Sequence, residues 1–164
     1  MRHICFIGLG SNLSNPCDQV KRALQIMDTI PHTRVVARSS LYRSTPVGYL
    51  LQPDFINAVA QMETELNPRD LLDALLGLER DFGRTRDFRN SPRTLDLDVL
   101  LYDDLQHHEA GLTIPHPQMH KRAFVLLPLL EIRPDCAIPG VGLAVEASRL
   151  CAGQQLERIT DGHL

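Results

Sequence analysis

The four cysteines of this chain, Cys5, Cys17, Cys136 and Cys151, form no CxxC pair. That spacing excludes a zinc ribbon and a thioredoxin-type motif and gives no reason to expect disulfides, so a reducing cytoplasm is the expected setting. Long apolar runs are missing too. The first ends at Gly10 without a basic region or a small-residue cleavage site, and a later one, Ala123 to Leu130, is far too short to span a bilayer. The chain is therefore expected to be neither exported nor membrane-embedded. Basic charge is not in surplus: a formal net charge of -3 and a pI near 6.1 argue against a general nucleic-acid binder. Lysine is almost absent, since of 17 basic residues only Lys21 and Lys121 are lysine. A codon bias explains most of the arginines, which leaves their clustering as the signal. The Gly8-x-Gly10 pair lacks the third glycine of a dinucleotide fingerprint, Leu13 standing in its place, and there is no GxxxxGK[ST] phosphate loop.

What is present fits one domain spanning residues 1–164, with 43% hydrophobic content and no room for a second catalytic domain. His3 to Leu9 reads as a buried first strand, followed by a helix that Asn15 caps and Pro16 opens, running to about Ile30. Thr33 to Tyr42 and Phe55 to Glu65 read as the second and third strands, joined by a long loop punctuated by Pro46, Gly48 and Pro53. Asn67-Pro68 starts a second helix that Gly83 ends. Glu79 lies near the end of that helix, where the dipole disfavours an anion, which hints at a specific partner. A short strand is expected before Ile114. A helical segment from Lys121 to Ile132, interrupted by Pro128, a short helix around Val145 to Leu150 and a last strand near Gln155 to Ile159 complete the chain. The order predicts an α+β fold, a ferredoxin-like βαββαβ sandwich with an antiparallel sheet and C-terminal additions. His116 and His120 have His-x3-His spacing, but Pro117 and the lack of a third ligand argue against zinc.

The segment Pro92 to Tyr102 carries the chemistry. Leu95, Leu97, Val99 and Leu101 alternate, so the strand points Asp96 and Asp98 together to the other face. Two stacked carboxylates repel each other, and a strand that keeps them is expected to hold a cation between them; all-oxygen ligation favours Mg²⁺ over Zn²⁺. Upstream, Arg80, Arg84, Arg86, Arg89 and Arg93 would suit a polyanion lying across the metal. Carboxylates, metal and arginines together suggest phosphoryl transfer. The bland alternative is a DxD on an exposed sheet face with arginines pairing it.

Five spaced blocks resemble the 6-hydroxymethyl-7,8-dihydropterin pyrophosphokinase family over nearly the whole chain. They are Gly8 to Leu13; Ser39 to Gly48 with Gln52 to Ala58; Glu79 with Gly83 to Arg86; Pro92 to Asp98; and Ile114-Pro115-His116 with Lys121 to Phe124. The resemblance implies transfer of diphosphate from ATP to the hydroxymethyl group of the pterin in folate biosynthesis, with two Mg²⁺ ions on Asp96 and Asp98. It implies an ATP site drawn from Glu79, Arg84, Arg86, Arg93, Val99, Thr113, His116 and Arg122, with Arg84, Arg86, Arg93 and Asp98 as the catalytic groups. It places the pterin between Phe55 and Phe124, read by Asn57 and by Ser44, Thr45, Pro46 and Val47. Departures from the family pattern are Ser91 where a glycine is usual, Asn90 where an aromatic closes over ATP, leaving Phe88 as the nearest substitute, and Phe55 where tyrosine is common. Thr85 to Ser91 is expected to act as a lid.

Two other classes share parts of this pattern. A ferredoxin-like RNA-binding module would need sheet-face aromatics where Asp96 and Asp98 stand. A two-metal phosphodiesterase would need more acidic ligands than one DxD supplies. The expected partners are small molecules, ATP and the pterin, with no nucleic acid and no membrane, and the expected state is a monomer.

Overall fold

A computed structural model describes residues 1–12, 15–44, 54–82 and 95–159. Strand β1 (His3–Ser11) leads into helix α1 (Pro16–Met27), then β2 (Thr33–Arg38), β3 (Tyr42–Ser44) and β4 (Phe55–Thr64). Helix α2 (Pro68–Phe82) precedes β5 (Asp96–Tyr102), and a hairpin of β6 (His107–Glu109) and β7 (Leu112–Ile114) turns at Gly111, whose φ of 78° suits glycine. A 3-10 turn (Met119–Lys121), α3 (Ala123–Ile132), the short pair β8 (Ala137–Ile138) and β9 (Gly142–Leu143), α4 (Ala144–Arg149) and β10 (Leu156–Arg158) follow. The main sheet runs β10-β3-β4-β1-β5, with β2 also on β4, and these pairings are antiparallel.

Alternation along the central strands sorts side chains onto two faces. Cys5, Ile7 and Leu9 of β1, with Ile56, Ala58, Ala60 and Met62 of β4, pack against Val20, Leu24 and Met27 of α1 and Leu71 and Leu75 of α2. Leu71 and Leu75 are fully buried, each stabilising the fold by roughly 1.5–3 kcal/mol. The opposite face packs Phe6, Val59, Leu100 and Leu101 against α3 and α4.

Several local expectations need correction. Asn67 caps α2 as expected, its Oδ1 accepting from the Asp70 amide at 2.8 Å. Asn15 does not cap α1 with its side chain: it takes a left-handed conformation (φ 60°), tolerable for asparagine, and the helix ends at Met27. The expected second strand is broken in two. Between Arg38 and Tyr42 the chain advances four residues while β4 advances three, from Ala60 to Asn57. The extra residue makes a bulge that Ser39 closes, its amide donating to the Val59 carbonyl and its Oγ accepting from the Val59 amide, both at 2.9 Å. β2 is itself bulged between Val35, which pairs with Met62, and Ala37, which pairs with Gln61, and another bulge falls in β5, where Phe6 pairs with Leu101 but Ile7 with Val99. It turns Leu101 away from the face it would share with Leu97 and Val99 and places Tyr102 there instead. Lys121 belongs to the 3-10 turn, and Pro128 does not interrupt α3, which continues through it. The missing proline amide costs one bond to the Phe124 carbonyl four residues back.

The four cysteines are free, and burial, with the Asp103 charge adding, pushes the Cys5 thiol up to about 12. Among the described residues no helix is long and apolar enough to cross a membrane.

Candidate active site

The registers of β3, β4, β1 and β5 set four residues in one row across the sheet: Tyr42 opposite Asn57, Asn57 opposite Gly10, Gly10 opposite Asp96. In the neighbouring pairs Ser44 faces Phe55 and Gly8 faces Asp98. Gly10 leaves the middle of this row, and Gly8 the middle of the next, without a side chain. A Cβ on Gly10 would lie 3.2 Å from Asn57 Oδ1, and one on Gly8 would lie 3.4 Å from the Leu100 side chain. Over this floor opens a cavity of about 720 Å³, bounded by Ser44, Phe55 and Asn57 on one side, Asp96 and Asp98 on the other, and Arg122 and Phe124 above. Its size and its mix of aromatic walls with a few convergent polar groups suit a small heteroaromatic ligand.

Each wall has a local cause. Asn57 is buried, and its Nδ2 donates to Ser44 Oγ at 2.8 Å, which turns Oδ1 over Gly10. Phe124 stands in the first turn of α3, with the Arg122 guanidinium carbon 5.5 Å from its ring centre. That end of α3 is held by Gln154, whose Oε1 accepts from the Ala123 amide and whose Nε2 donates to the Lys121 carbonyl, both at 2.8 Å. Gly153, Gln154 and Gln155 also line the cavity. No sequence signal points to them, since a polar turn after a short helix carries no pattern typical of a site.

Asp98 is exposed and Asp96 half-buried, both directed to the cavity. Among the described residues no three His, Cys, Asp or Glu converge. Two carboxylates are enough protein ligands for Mg²⁺, because it keeps waters and completes its shell with substrate phosphates.

The remaining expected residues lie around this centre. Glu79 accepts from the Leu97 amide at 2.6 Å, tying the last turn of α2 to the strand between the two aspartates. Val99 buries its side chain in the core toward α1 and α2, so only its main chain can meet a ligand. Thr113 Oγ1 lies 2.8 Å from His108 Nδ1. The His116 amide donates to the Leu100 carbonyl, and its Nδ1 accepts from the Gln118 amide at 3.1 Å. Burial lowers the His116 pKa, the Asp98 charge opposes this and Arg122 adds to it, so the ring sits within the field of both. Glu79, Val99, Thr113 and His116 stand outside the lining of the cavity. Thr45, Pro46, Val47, Arg84, Arg86 and Arg93 lie outside the described residues, as does the expected lid from Thr85 to Ser91 with Phe88 and Asn90.

The family model described as 7,8-dihydro-6-hydroxymethylpterin-pyrophosphokinase matches residues 6–134. The chain belongs to this family. It is an ATP-dependent pyrophosphokinase of folate biosynthesis. It is 44% identical over 154 residues to the 2-amino-4-hydroxy-6-hydroxymethyldihydropteridine pyrophosphokinase of Pseudomonas aeruginosa, covering 94% of this chain and 95% of the relative. The enzyme of the same name from Haemophilus influenzae is 43% identical, covering 94% and 96%. The fold is similar to that of wild-type HPPK-DHPS from Plasmodium falciparum, with a TM-score of 0.71 at 14% identity, covering 91% of this chain and 44% of that one.

Proposed function

We propose that the cavity over Gly8 and Gly10 binds 6-hydroxymethyl-7,8-dihydropterin beside the phosphates of ATP, and that diphosphate passes between them there. The observation that carries this reading is that two aromatic rings, Phe55 and Phe124, and a carboxylate pair, Asp96 and Asp98, line one open cavity. Phe55 and Phe124 stack on the pterin ring, while Asn57 Oδ1 and the Ser44 hydroxyl meet its polar edge. The unadorned floor lets the hydroxymethyl group reach toward Asp96 and Asp98. The pterin oxygen bonds to the β-phosphorus as the bond from that phosphorus to the bridging oxygen breaks, AMP departs, and the hydroxyl proton is released.

Asp96 and Asp98 would hold the two Mg²⁺ ions, which when bound neutralise the charge gathering on the phosphates. Arg122 reaches the same space and supplies a fixed positive charge. Arg84, Arg86 and Arg93 are assigned to the phosphates, and Glu79, Val99 (through its main chain), Thr113 and His116 to the nucleotide side, as the family resemblance implies. Asp98 is assigned to the catalytic group with the three arginines.

We further infer that residues 1–164 act as one pyrophosphokinase unit, monomeric and cytoplasmic, without nucleic acid as partner. Counting β2 and β3 as one bulged strand, the order of that strand, β4, β1 and β5 supports a ferredoxin-like βαββαβ core with C-terminal additions. The direct test mixes purified protein with Mg-ATP and assays AMP with and without the pterin alcohol. AMP formed only when both are present is the expected result. Release without the pterin, or none with it, would overturn the assignment.

A further inference from the structure

Glu131 sits at the second-last position of α3, where the helix dipole disfavours a carboxylate. It nevertheless accepts four hydrogen bonds from other parts of the chain. Oε1 takes the Ser40 amide at 3.0 Å and the Tyr42 hydroxyl at 2.8 Å; Oε2 takes the Ser40 hydroxyl at 2.8 Å and Arg158 Nη2 at 3.1 Å. Arg158 Nε also donates to Ser40 Oγ at 3.0 Å. These donors outweigh the desolvation of the carboxylate and hold its pKa below the usual 4.5.

The elements joined at this carboxylate are those that form the pterin wall. Strand β3 is three residues long, enters from a bulge, and carries Tyr42 opposite Asn57 and Ser44 opposite Phe55. So short a pairing does little to fix its own register. Glu131 grips the chain at Ser40 and Tyr42, immediately before Ser44, and through Arg158 it also grips β10, the outer neighbour of β3. The other end of the same helix carries Phe124, seven residues earlier and about 10 Å away along the axis. One rigid rod therefore sets the distance from Phe124 to the Ser44, Phe55 and Asn57 side of the slot.

We propose that Glu131 is a positioning residue for the pterin half of the site, acting through Ser40, Tyr42 and Arg158 and leaving the ATP half alone. This rests on the pterin reading given above. A merely structural role would weaken both substrates and turnover together as the protein loses stability; a positioning role separates them.

The test compares Glu131→Gln, Tyr42→Phe and the double variant with the wild-type chain in steady-state assays and thermal melts. Glu131→Gln should raise the pterin KM about tenfold, as expected for weakened hydrogen bonds to a charged group, with ATP KM and kcat within about twofold. Tyr42→Phe, which removes one bond, should raise the pterin KM about threefold, and the double variant should be no worse than Glu131→Gln alone. An unmoved pterin KM, parallel rises in both KM values, or additive effects would overturn the role of Glu131. If Glu131→Gln does not fold, Tyr42→Phe decides by the same criterion of pterin against ATP KM. Wild-type protein that forms no AMP with the pterin alcohol would overturn the underlying reading of the site instead.

Discussion

Toward α1 and α2, β1 presents Cys5, Ile7 and Leu9 and β4 presents Ile56, Ala58, Ala60 and Met62, all buried. Toward α3 the same two strands bury Phe6 and Val59 but also present Gly8, Gly10 and Asn57, and the space above these three stays open. The period-2 geometry of a strand makes this division possible, because each face can be given its own composition. One face is filled along its length; the other is filled around Phe6, Val59, Leu100 and Leu101 and left open over Gly8, Gly10 and Asn57, where the chemistry sits. Substitutions on the two faces should therefore separate stability from activity.

The largest stability effect is expected at Leu75, fully buried on the filled face. Leu75→Ala should lose about 2–5 kcal/mol in denaturant melts while the KM values of the folded fraction stay put. A variant that melts like the wild type would break the comparison from that side. On the open face, Asp98→Asn should leave the melt within about 0.5 kcal/mol and lower activity by something on the order of 10²-fold or more. Turnover that survives EDTA, or an unimpaired Asp98→Asn enzyme, would remove the metal from the account.

Phe124→Ala sharpens the comparison within the open face. It should weaken pterin binding by about 1–3 kcal/mol, taking base-aromatic stacking as the analogue, with ATP affinity unchanged. A fluorescence titration with unaltered pterin affinity would return Phe124 to the α3 packing alone. The smallest effect is one of pH. The folded Glu131 carboxyl has a lowered pKa, so it binds protons less readily than in the unfolded chain, and its contribution is present above about 4.5 and lost as pH falls through the lower folded value. Melts of Glu131→Gln and wild type should converge as pH drops through that window, and a gap that stays constant would show that the charge is not what holds the junction.

How much of this was legible in the sequence depends on the range of the cause. The alternation from Leu95 to Val99 and the Asn67-Pro68 start of α2 are local, and the structure carries both. Gly8 and Gly10 read as a failed nucleotide fingerprint, because nothing nearby shows that they lie between Asn57 and Asp96. Glu79 stood out against its helix dipole, and its partner is the Leu97 amide. Glu131 breaks the same rule in α3, so the same local signal points to it.

The sequence by itself determined the main strands and helices, which strand carries two carboxylates on one side, and which family the motifs resemble. Those properties follow from periodicity, capping and side-chain chemistry over a few neighbouring residues. Only the tertiary structure decided that two bulges redirect β3 and β5, that glycines clear the floor, that Gln154 holds the start of α3, and that Glu131 joins α3 to β3 and β10. Each of these depends on register and contact between segments far apart in the chain. Such contacts are set when packing and hydrogen-bond satisfaction choose one arrangement of the whole sheet, a choice no local window contains.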